Sequence, residues 1–198
     1  MKSDPWRERK GPRPPDRTGS PKDPSTGLSS NFRDRADSAA FYEAWVGAVL
    51  SRAGLYTLHH PFTLAETAEE VAEHAHTWDI EVGKGVEDWD PSCWQGAALV
   101  EVKSVNLTFH NTESYPFEWL LVCSQASWER KWTSDKTLRD FLFVSRPTGA
   151  ILWLPTGTLV EMNHMVVDST RNQTYKAVRT SSSNLRPLDE FVTKVKKS

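Results

Sequence analysis

The run Trp78-Asp79-Ile80-Glu81-Val82 alternates apolar and acidic side chains, and a second run, Ala97-Ala98-Leu99-Val100-Glu101-Val102-Lys103-Ser104-Val105, repeats the alternation and adds a lysine. A period of two sends successive side chains to opposite faces of a strand. The first run then carries Trp78, Ile80 and Val82 on one face and Asp79 and Glu81 on the other. In the second, Leu99, Glu101 and Lys103 share a face opposite Val100 and Val102. Charges inside a sheet are costly unless they are paired or bind a metal. If the two strands are neighbours, Asp79, Glu101 and Lys103 need a common reason to be there.

Working upstream, Ser38 reads as the cap of a helix through Phe41, Tyr42, Ala44, Trp45, Val46, Ala48, Val49 and Leu50, stopping at Gly54. This helix is apolar over most of its circumference, which predicts burial on more than one side and makes Glu43 in its middle a residue that asks for a partner. Leu55 to Phe62 contains a short β-like piece. Leu64 to His74 reads as a second helix with Glu66, Glu69, Glu70 and Glu73 facing solvent. Downstream, a polar loop spans Gly83 to Gln95. Phe117 to Cys123 is a continuous apolar run of the kind found in a central strand. Asp140 to Ser145 and Ala150 to Leu154 make two strands around the turn Arg146-Pro147-Thr148-Gly149. Strand character appears again at Met165 to Val167 and Tyr175 to Val178. A short amphipathic helix carrying Leu188, Phe191, Val192 and Val195 follows Pro187. The class expected is α/β.

Residues 1–33 are rich in Pro, Arg, Lys, Asp and Ser and poor in aliphatic side chains, so they read as a disordered arm, with Arg7, Arg9, Lys10, Arg13, Arg17 and Lys22 available to phosphates. Residues 34–180 read as the folded domain and 181–198 as a linker and helix. With 198 residues and 38% hydrophobic content the chain can bury one real core. It has no apolar run near the roughly 18 residues of a membrane helix and no signal-peptide pattern at Met1, so a cytoplasmic protein with no membrane partner is expected. Cys93 and Cys123 have no zinc-ribbon spacing and read as reduced thiols. A net charge of -2 argues against holding nucleic acid by overall basicity, while leaving room for an acidic centre inside a basic rim.

Two carboxylates converging on adjacent strands make an oxygen-rich pocket suited to Mg²⁺ or Mn²⁺. Lys103, on the same face as Glu101, is placed to orient an attacking water and offset charge on a phosphodiester. Asp79 followed by Glu101-Val102-Lys103, with Glu43 on a preceding helix, resembles the PD-(D/E)XK nuclease superfamily over Ala39 to about Leu154. Within it the likeness is to archaeal-type Holliday junction resolvases and small phage or restriction endonucleases. That resemblance implies a restriction-endonuclease-like mixed β-sheet flanked by helices. It implies metal held by Asp79, Glu101 and the backbone carbonyl of Val102, water positioned by Lys103, and support for the metal from Glu43. It also implies 5′-phosphate and 3′-hydroxyl products and a two-fold homodimer. Trp78 stands where the motif has its proline, and Gln125 is followed four places later by Glu129 instead of the tyrosine of RecB-like exonucleases.

The expectation is therefore a Mg²⁺-dependent endonuclease acting on DNA, branched DNA included, with Glu43, Asp79, Glu101 and Lys103 as catalytic candidates. The alternative is a nucleic-acid-binding or assembly subunit that keeps the nuclease fold without catalysis. Trp128, Arg130 and Lys131 interleave aromatic and basic side chains and, with Arg146 at the hairpin corner, are candidates for DNA contact. Equally, Trp128 and Trp132 are one helical turn apart and suit the core. His59-His60 and His74-Ala75-His76 invite a zinc reading, but the first asparagine beyond His60 is Asn106, which does not suit an HNH-type site. Glu81 is either a further ligand or a surface residue.

Overall fold

Helix α1 runs from Ser30 to Arg52 in the computed structural model, which describes residues 30–60, 78–84, 98–129, 139–168 and 173–198. The helix begins eight residues before the expected cap at Ser38. No glycine or proline interrupts Ser30 to Val46, so nothing in the sequence opposes propagation back to Ser30. At the other end Gly54 adopts φ 79° and its N–H donates to Ser51 O at 3.0 Å, closing the helix as the sequence indicates. Burial on more than one side is not what the helix has. Val46 and Leu50 are fully buried, whereas Phe41, Ala44, Trp45 and Ala48 are exposed, because the sheet covers one stripe and the aromatic side faces solvent.

The strands are β1 (Leu55–His59), β2 (Ile80–Lys84), β3 (Ala98–Val105), β4 (Trp119–Ser124), β5 (Asp140–Ser145), β6 (Ile151–Leu154), β7 (Glu161–Asp168), β8 (Gln173–Ser181) and β9 (Arg186–Pro187), followed by helix α2 (Leu188–Lys197). A six-stranded mixed sheet has the order β1-β2-β3-β5-β6-β9, and a three-stranded sheet the order β4-β8-β7. Strands β1, β2 and β3 form an antiparallel meander. Strand β5 then lies parallel to β3, with Val100 opposite Asp140 and Val105 opposite Ser145, and β6 returns antiparallel to β5. A parallel pair requires a long crossover, and the chain uses the one between β3 and β5 to lay down β4.

One face of the large sheet presents Ile80, Val82, Val100, Leu142, Val144 and Trp153 to Val46 and Leu50 of α1 and to Phe191 and Val195 of α2. The other presents Phe141, Phe143, Leu152 and Leu154 to Leu120 and Val122 of β4 and Val178 of β8. All six residues of β5 are buried, as expected for an inner strand covered on both sides. The Phe117 to Cys123 run is not central: β4 lies at the edge of the smaller sheet. The run is interrupted at Glu118, and past it Leu120 and Val122 face the core while Trp119 packs beneath the Arg179 guanidinium, 4.0 Å from the ring centre. The expected helix at Leu64 to His74 lies outside the described residues. Among the described residues no helix is long and apolar enough to cross a membrane.

Candidate active site

The β2–β3 ladder ends at the pair Ile80–Val100. One residue earlier, the Asp79 N–H still donates to Val100 O at 3.1 Å, and the Asp79 carbonyl accepts from His60 N at 3.0 Å. The chain bends there, and the Val102 N–H donates to Asp79 Oδ2 at 2.7 Å. The carboxylate thus replaces the next backbone acceptor at the fork where β2 leaves β3, an arrangement that fixes its orientation and satisfies a strand donor at once.

Glu101 is 2% exposed and points to the face opposite Val100. The Lys103 ammonium donates to Glu101 Oε1, bridging a buried carboxylate to a side chain that is about one third exposed. Burial by itself would lower the lysine pKa, but the charge and hydrogen bond of Glu101, and then the charge of Asp79, raise it above the usual lysine range. Lys103 is therefore a fixed cation at neutral pH. Glu43 lies on the same helical stripe as Val46 and Leu50. Its carboxyl is pushed up to about 7, first by burial and then by the negative charge of Asp79, with Lys103 pulling the other way. The side chains singled out on α1, at the fork and on β3 thus act on one another electrostatically.

The remaining candidates separate. Glu81 Oε1 accepts from His60 Nε2 at 2.8 Å and from Trp78 Nε1 at 2.9 Å, so it is engaged on the β1 side of the fork. Trp78 is consequently not on the Ile80 face, because the bend at Asp79 breaks the period-two pattern. Trp128 stacks on Phe141 at 6.1 Å and packs against the second core. Arg146 is exposed at the hairpin corner, above the Tyr42 ring at 5.7 Å. His59 lies against Gly47, where an added Cβ would come within 2.1 Å of its Nε2, and burial followed by the His60 charge lowers its pKa. Arg130, Lys131, His74 and His76 lie outside the described residues. Among the described residues no three of His, Cys, Asp and Glu are grouped so that they could hold a metal ion, and Glu43, Asp79 and Glu101 are not such a group.

No family model, curated protein or solved structure matches this chain. What can be said of the site therefore rests on its own geometry.

Three further residues carry no signal in the alternation. Arg139, 5% exposed, places its guanidinium 5.8 Å from the Trp78 ring centre; a lone arginine before an apolar strand was the only trace. Phe41 and Trp45 read as core aromatics but are 63% and 39% exposed, since helical periodicity alone does not say which apolar stripe the sheet covers.

Proposed function

We propose that the protein is a metal-dependent endonuclease hydrolysing DNA phosphodiester bonds at a centre formed by Glu43, Asp79, Glu101 and Lys103. The observation that carries this reading is the fork itself: Asp79 bound to the Val102 N–H beside the ion pair of buried Glu101 with part-exposed Lys103, with the Glu43 carboxyl coupled electrostatically to Asp79 and Lys103. The mixed sheet with helices packed on it is compatible with the fold that the PD-(D/E)XK resemblance implies.

Two carboxylates and a backbone carbonyl are donor types that suit a hard divalent cation. Mg²⁺ is usually held by one or two carboxylates and completed by water and phosphate, so an all-protein cage is not required. Asp79, Glu101 and the Val102 carbonyl would hold Mg²⁺ or Mn²⁺, with Glu43 as a further support. Bound there, the metal would supply Lewis-acid polarisation of a phosphoryl oxygen and a more acidic water. The chain's own groups do the rest. Lys103, charged throughout the neutral range, offsets negative charge developing on the phosphoryl group. A carboxyl with a pKa about 7 exists in both protonation states near neutrality, which lets Glu43 accept a proton from an attacking water.

The test is incubation of labelled linear duplex, single strand and four-way junction with wild type and Lys103→Ala, in Mg²⁺ and in EDTA. Cleavage by wild type that disappears in EDTA and in the variant, leaving 5′-phosphate ends, is expected. Failure to cut any of the three would overturn the reading and favour a binding subunit.

A further inference from the structure

Phe41 and Trp45 form an exposed aromatic ridge on α1, the helix that also carries Glu43. Tyr42 directly precedes Glu43 on α1, and Ser104, next to Lys103 on β3, lies on the Val100 face of that strand. Tyr42 meets Phe41 edge to face at 5.1 Å and lies beneath the Arg146 guanidinium. Arg146 in turn donates to Ser104 Oγ, from Nη2 at 3.0 Å and from Nε at 3.3 Å.

The ridge is held in place. The Trp45 indole N–H donates to Gly149 O at 3.2 Å, so the ring's polar handle is used internally and what remains for solvent is its π surface. Gly149, at φ 71°, gives the ring its seat: a Cβ there would come within 3.4 Å of Trp45 Cζ2. Exposed aromatic area costs little conformational entropy to use when the ring is already fixed. Ser104 occupies two of the five N–H donors of a guanidinium, and Arg146 can hold a phosphate with the others.

We propose that Phe41, Trp45 and Arg146 bind an unpaired nucleobase with its adjoining phosphate, so that the strand delivered to Glu43, Asp79, Glu101 and Lys103 is single-stranded, frayed or branched. This rests on the nuclease reading of that centre and narrows its substrate class. Inside a duplex the faces of the bases are occupied by their neighbours, whereas an unpaired base presents a π face to any aromatic platform, irrespective of sequence. A cation beside the platform adds the phosphate contact that such surfaces use.

The test is fluorescence anisotropy of the full chain in EDTA, with end-labelled oligonucleotides of about 12 nucleotides as single-stranded DNA, single-stranded RNA and DNA duplex. Wild type is expected to bind one of the single strands more tightly than the duplex. Phe41→Ala and Arg146→Ala, both at exposed positions, are each expected to weaken that binding about 5- to 100-fold with unchanged melting temperature. Phe41→Ala is expected to leave duplex binding unaltered. Preference of wild type for duplex, no binding of any strand, or single-strand binding unchanged in both variants would overturn the proposal. Wild-type cleavage in Mg²⁺ is read in parallel. Selective single-strand binding without any cleavage would keep the ridge and remove the nuclease reading; cleavage with Phe41→Ala and Arg146→Ala binding as wild type would do the reverse.

Discussion

At the scale of the residue, Asp79 has a structural contact and a proposed chemical role that substitution can separate. Its carboxylate accepts the Val102 N–H at 2.7 Å, and removing the acceptor leaves a strand donor unsatisfied, which costs about 1–3 kcal/mol. Asp79→Ala is expected to lose stability by that order in a denaturant titration as well as losing cleavage. Asp79→Asn keeps an acceptor oxygen without the charge, and should melt near wild type while cutting at least about 100-fold more slowly. Glu43 makes a pH prediction whose sign follows from its raised pKa. Unfolded, it titrates near 4.5; folded, near 7. The folded state binds more protons between those values, so its contribution to stability is most favourable below about 4.5 and is lost as pH rises to 7. Discounted for partial exposure, the penalty above pH 7 is on the order of 1 kcal/mol. Glu43→Gln should therefore unfold at higher denaturant than wild type at pH 8 and alongside it at pH 4. Equal midpoints at pH 8 would contradict the raised pKa of Glu43.

At the scale of the element, the apolar alternation of β2 and β3 was legible, and with it the shared face of Glu101 and Lys103 and the need of Glu43 for company. The bend at Asp79 was not legible, because a strand's departure from its neighbour is set by pairing partners that alternation does not encode. For the same reason Trp78 and Glu81, which looked like members of opposite faces, are joined by a 2.9 Å hydrogen bond. Strand β4 misled in a different way, since an apolar run reports coverage and not position in a sheet. Asp140 opens a strand that read correctly from Asp140 to Ser145, yet its partners were invisible in sequence. It accepts from Trp153 Nε1 at 2.8 Å, Thr156 N at 3.0 Å and Lys194 Nζ at 2.6 Å, and so ties α2 to the large sheet. Asp140→Ala strands three donors around a site that is 3% exposed, and a loss of about 3 kcal/mol is expected, measured as a melting temperature lower by roughly 6–12 °C. Lys194→Met, which removes a partly exposed cation and keeps its aliphatic stem over Trp153, should cost less than half of that. Equal losses would mean that the ion pair, and not the three-donor network, holds the helix.

At the scale of the whole molecule, the chain stacks helices α1 and α2 on one face of a six-stranded sheet and a three-stranded sheet on the other. Phe191 and Val195 are fully buried, so the terminal helix completes the main core and is not an appendage. Deletion of residues 188–198 is expected to abolish cooperative thermal unfolding, and a truncated chain that still melts in one sharp transition would contradict that assignment. The layers also explain why the site lies where it does. Where β2 and β3 part company the Asp79 carboxylate takes up the freed Val102 N–H, and the Lys103 ammonium offsets the charge of Glu101. The measurement that bears most directly on the nuclease proposal is single-turnover cleavage of a labelled four-way junction in Mg²⁺ by wild type and Asp79→Asn, with melting curves recorded on the same samples. The expected result is cleavage by wild type only, at equal stability, with 5′-phosphate ends. Undiminished cleavage by Asp79→Asn, or none by either protein, would contradict a phosphodiesterase centre at the fork between β2 and β3.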